Sequence, residues 1–83
     1  MYTEEIQEQI FVDAVFTNSK IKPRWFIWKG RKHPVKEITY IWKDNQGEAP
    51  LVYFSVSDGA NIYEIFFNQK NLNWYLARVH LEG

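Results

Sequence analysis

The 83-residue chain contains no cysteine, which excludes disulfides and every thiolate metal site. Redox conditions therefore place no constraint on it, and a reducing cytoplasm is the expected setting. Charge of one sign is also lacking: ten basic residues balance ten acidic ones, which argues against gross attraction to a polyanion. No apolar run approaches the roughly 18–20 residues of a membrane span. The opening MYTEEIQEQI is acidic where a secretory signal is basic and then apolar. No membrane partner is expected, and the sequence holds no internal repeat, low-complexity tract or linker.

What is abundant is aromatic: 18% of the residues are Phe, Trp or Tyr. A chain this short buries a smaller fraction of its surface than a large one. Each buried ring contributes roughly 1.5–3 kcal/mol of transfer free energy, so a few suffice for a core without disulfide or metal.

The stretch Pro23–Trp42 organises the rest. Trp25, Phe26, Ile27 and Trp28 suit a pleated, half-buried surface. Gly30 follows in Lys29-Gly30-Arg31-Lys32 and supplies the positive φ of a short hairpin loop. Val35, Ile38 and Trp42 also fit a helical face, but β-branched and aromatic residues dominate and no capping residue precedes Pro34. A strand is expected there, with a bulge near Lys36-Glu37 restoring its alternation.

Along the chain, residues 1–8 are polar and expected to be flexible, ahead of a single β-domain over 9–83. Ile10, Val12, Ala14 and Phe16 alternate as a first strand, and 18–23 read as a polar connection. Leu51–Ser57 should place Val52, Phe54 and Val56 inward. Asp58-Gly59 is a strong hairpin signal, and Tyr63, Ile65 and Phe67 share a face of its partner strand. Trp74 and Leu76 should oppose Tyr75, Ala77 and Val79. The expected fold is all-β: a small antiparallel barrel or meander of about five to six strands, of SH3-like size.

At Trp28-Lys29-Gly30-Arg31, then Val35, Ile38 and Trp42, the chain resembles a family of short, uncharacterised bacterial β-domains with a Trp-x-Gly-Arg…Val…Trp pattern. Tyr63-Glu64-Ile65 and Trp74-Tyr75-Leu76-Ala77-Arg78-Val79 extend the resemblance over residues 23–79. His33 stands where that family carries Tyr or Phe. The resemblance implies a small β-domain, sometimes appended to chains related to DNA-repair polymerases, and implies no activity.

Signals for chemistry are thin. His33 and His80 lack ligand spacing, and His80 beside Glu82 reads as solvent-exposed. Ser19, Ser55 and Ser57 lack a nucleophile elbow, and no phosphate-binding glycine loop is present. No enzyme, cofactor or metal is expected. The expected role is a non-catalytic protein-interaction or self-association module, with Trp25, Trp28, Arg31, Tyr40 and Trp42 forming an aromatic and cationic patch of hot-spot composition. The alternative is single-stranded nucleic-acid binding along Lys20–Lys43, through Lys20, Lys22, Arg24, Lys29, Arg31, Lys32 and Lys36. A third reading is a small apolar ligand in the barrel mouth. Arg31 is expected to pair with an internal acid such as Glu64.

Overall fold

Alternating apolar residues recur along almost every segment, and the computed structural model, which describes residues 2–81, is all-β. Its strands are β1 Tyr2–Thr17, β2 Lys20–Trp28, β3 Arg31–Pro34, β4 Glu37–Gln46, β5 Ala49–Ser57, β6 Ile62–Asn68 and β7 Asn73–Leu81. They form one antiparallel sheet in the order β3-β2-β1-β7-β6-β5-β4. β3 and β4 stand at opposite ends of that order yet are separated in sequence by only Val35 and Lys36. The meander thus curls back on itself without a ladder between its two ends, and is not a closed barrel.

Two chain segments each serve two neighbours. β1 pairs β7 from Tyr2 to Ile10 and β2 from Phe11 to Thr17. On the far side, the Val35 N–H donates to the Arg24 carbonyl of β2 (2.9 Å), and the Lys36 N–H donates to the Ser57 carbonyl of β5 (2.8 Å). The irregularity expected near Lys36-Glu37 is therefore a handover from one partner strand to another. A second slip follows between Ile38 and Tyr40.

Inside the curl, Phe26, Phe54, Val56, Ile65, Leu76 and Val79 are almost completely excluded from solvent, with Tyr63, Phe67 and Trp74 packed among them. Val79 corrects the simple alternation, which groups it with Tyr75 and Ala77. Ladder pairs jump from Glu64–Arg78 to Ile65–Leu76, leaving Ala77 as an extra residue, so the residues after it change face. β1 accommodates the same bulge with Ile6 and Gln7. Gln7 adopts φ 55°, and its Nε2 donates to the Ala77 carbonyl at 3.4 Å.

Other expectations also change. The segment expected to be flexible is ordered from Tyr2 onward in β1; Met1 lies outside the described residues. Arg78 makes a two-bond fork to Glu5 (3.0 and 3.1 Å), and His80 Nδ1 lies 3.0 Å from Thr3 Oγ1. Asn18–Pro23 is not simply a connection, because β2 begins at Lys20 and Pro23 is fully buried within it. Pro23 opposes Ala14 beside a register shift that leaves Arg24 bulged, a position that tolerates a missing N–H.

Phe26 joins β2 to the core from the middle of that strand. Phe26→Ala should cost about 3–5 kcal/mol, read as a lower urea midpoint at unchanged slope.

Candidate functional site

The turn between β2 and β3 follows from its residues. Lys29 and Gly30 both take positive φ (53° and 73°), as a two-residue hairpin turn matched to strand twist requires. Strand parity beyond it splits the expected patch. Trp28 packs against the inner core, whereas Trp25 lies on the other face and meets Phe11 at 5.6 Å. Lysines already cover these rings: Lys32 Nζ sits 4.3 Å above Trp25 and Lys29 Nζ 4.8 Å above Trp28. Tyr40 and Trp42 do come together, with centroids 5.4 Å apart.

They begin a row of rings on the outer face. Trp42–Tyr53, Tyr53–Phe66 and Phe66–Tyr75 follow at 5.0, 4.8 and 5.0 Å. These are directly opposed ladder partners across β4, β5, β6 and β7, so register alone brings them into contact. Phe66 is only 5% exposed, while Tyr40, at the end of the row, is 65% exposed.

Arg31 does not pair with Glu64. Glu64 instead receives Arg78 Nη1 at 3.1 Å and lies 2.6 Å from His80 Nε2, so His80 is a partly buried network member. The reason is register: Glu64 is the ladder partner of Arg78, while Arg31 opposes Trp28 across the hairpin. Among the other cations, Arg24 Nε approaches Asp13 at 4.0 Å. The Lys36 side chain lies over Gly59, where an added Cβ would meet it at 3.1 Å.

The least expected polar cluster is His33, Asp58 and Tyr63. The Tyr63 hydroxyl donates to Asp58 Oδ2 at 3.0 Å, and His33 Nδ1 lies 3.3 Å from the same oxygen. Asp58 Oδ1 accepts the backbone N–H of Ala60 and of Asn61, both at 2.9 Å. Burial pushes the Asp58 carboxyl up, but the Asn61 and Ala60 amides, His33 and Tyr63 together hold it below its usual value. Burial also raises the Tyr63 phenol, and neighbouring Asp58 adds to that. His33 stacks on Phe26 at 5.0 Å, and none of the three lines either hollow described next. The cluster has the chemistry of a clasp joining β3, β6 and the β5–β6 turn. Among the described residues, no group of three or more acidic or histidine side chains is arranged to hold a metal ion.

Two hollows flank the hairpin formed by the second half of β1 and the start of β2. The larger, about 990 Å³, is open and lies between β1 and the β6–β7 turn. Phe11, Phe16, Ile27 and Leu72 line it without any charged side chain. Phe11, Phe16 and Leu72 are 60%, 56% and 68% exposed. The smaller, about 480 Å³, lies between the start of β2 and β4. Sequence reasoning missed the first because Phe11 falls on the opposite face from Ile10 and Val12, and Leu72 sits between two asparagines. Leu72, the one apolar residue in the turn Gln69–Asn73, was the available signal.

Comparison with known proteins finds no matching family model, no matching curated protein and no matching solved structure.

The clasp has a pH signature. Because the folded Asp58 carboxyl is held low, its stabilisation is complete above its unfolded value, about pH 4, and is lost as pH falls through the lowered folded value. Asp58→Asn should cost about 1–3 kcal/mol at neutral pH and flatten the acid limb of stability against pH, measured by urea melts from pH 7 downward.

Proposed function

We propose that this chain is a non-catalytic self-association module in which two copies pair along the free edge of β1. The observation that carries this is the segment Phe11–Thr17, FVDAVFT, whose second edge has no ladder partner among the described residues once β7 pairing stops at Ile10. Exposed strand edges are templates for pairing unless charge, proline or a bulge guards them. Lys20 and Lys22 on β2 and Lys43 on β4 occupy such positions, whereas the Phe11–Thr17 edge carries one charge, Asp13, which faces Arg24, and the bulge and proline opposite it belong to β2, on the side away from the free edge.

The uncharged hollow beside that edge supports an apolar partner, since no buried charge would be left unpaired. A second copy meets the need. A two-fold axis through Ala14 sets Val12 opposite Phe16 of the other copy and Asp13 opposite its Val15. Formal net charge is zero, so the copies do not repel. Trp25, tilted against Phe11, adds an aromatic rim of interface composition.

Light scattering behind size exclusion, from micromolar to submillimolar protein, should show a concentration-dependent dimer. Val15→Asp places carboxylates opposite Asp13 at two symmetric positions and should weaken association about tenfold or more. Val15→Lys, opposite the same aspartates, should preserve it. A wild-type monomer across the range, or equal effects of the two substitutions, removes this reading.

A further inference from the structure

We infer that the smaller hollow, on the other flank of the hairpin and apart from the β1 edge, is a binding site for a long-chain carboxylate. Its floor is apolar: Ile21, Ile38, Ile41 and Phe54 converge there from β2, β4 and β5. Ile41 points inward by strand parity, yet it is one of the exposed large hydrophobics. The inner face therefore meets solvent at this point instead of sealing over. The volume, about 480 Å³, lies within the roughly 300–1,000 Å³ typical of small-molecule sites.

The rim decides the chemistry. Lys20, Lys22 and Lys43 line the hollow, and no acidic side chain does. None of the three lysines enters an ion pair among the described residues. Three unpaired ammonium groups above an apolar floor match a ligand with one anionic head and an alkyl tail. The head can stay at the solvated rim while the tail displaces water from the isoleucines, a gain that grows with each methylene buried. A cationic amphiphile of equal length gains the same from its tail and is repelled at the rim.

The wall of the hollow explains why the fold leaves it open. β3 covers β2 only from Trp25 to Trp28, and the chain then crosses to β5 at Val35 and Lys36. The start of β2 and the outer edge of β4 therefore diverge from that crossing, and the hollow lies where they separate.

Isothermal titration of the full chain with sodium dodecanoate, below its micelle concentration, tests the site. Saturable one-to-one binding is expected, with dodecyltrimethylammonium about tenfold weaker or worse. Lys20→Gln, Lys22→Gln and Lys43→Gln combined should weaken dodecanoate about tenfold, as three solvent-exposed charge contacts imply. If that variant misfolds by circular dichroism, Lys43→Gln alone should still show a loss of about twofold or more. Absent dodecanoate binding, equal affinity for the cationic amphiphile, or unchanged affinity in a folded lysine variant overturns the inference. Binding seen only with phosphatidylcholine vesicles would overturn it too, since it would report a lipid surface and no enclosed tail.

Discussion

A single sheet can bury its inner face only by curling, and curling forces individual strands to leave one neighbour for another. In this chain the burden falls on β1 and on the β3–β4 path. Each runs beside two partners in turn: β1 changes partner between Ile10 and Phe11, with a ladder irregularity on either side, and the other path changes at Val35–Lys36. The bulges are the means: Ile6 and Gln7 against Ala77, Arg24 beside Pro23, and the slip between Ile38 and Tyr40. Every one adds local twist and bends its strand. Without them the inner faces of β2 and β6 would diverge, and Phe26 could not meet Tyr63 at 5.1 Å.

The same device governs how much of the fold is legible in the sequence. β5 and β6 follow uninterrupted alternation and a strong turn dipeptide, so Val52, Phe54, Val56, Tyr63, Ile65 and Phe67 fall inside as the pattern requires. Val79 does not, because a bulge at Ala77 inverts parity and leaves no local trace. The first residues of β1 were equally opaque. Glu5 and Thr3 look like a solvated lead until Arg78 and His80, more than seventy positions away, arrive beside them. Composition describes a segment alone, and long-range pairing overrides it.

The candidate sites show a related limit. Tyr40 and Trp42 are two apart on one strand, and their proximity could be read directly. Trp25 and Trp28 are three apart and diverge to opposite faces, so a patch drawn from sequence proximity joins residues that the sheet separates. Neither hollow could be anticipated from spacing, since each is lined by residues far apart in sequence: Phe11, Ile27 and Leu72 around one, Ile21, Ile41 and Phe54 around the other. The His33–Asp58–Tyr63 cluster was hidden for the same reason. Its members are brought together by the crossing at Val35–Lys36, and their mutual satisfaction at low exposure marks a structural role.

The hairpin between the hollows has one further consequence. From Phe11 to Arg24 its two strands bond mainly to each other, while β5 and β6 are bracketed by ladders on both sides. Amide deuteration should therefore advance in two waves, with the tip around Asn18 and Ser19 exchanging early and Phe54 and Ile65 exchanging only when the whole molecule opens. The body of the arm stays anchored by the buried Pro23 and by Phe16 against Phe67, so local opening is confined to its tip.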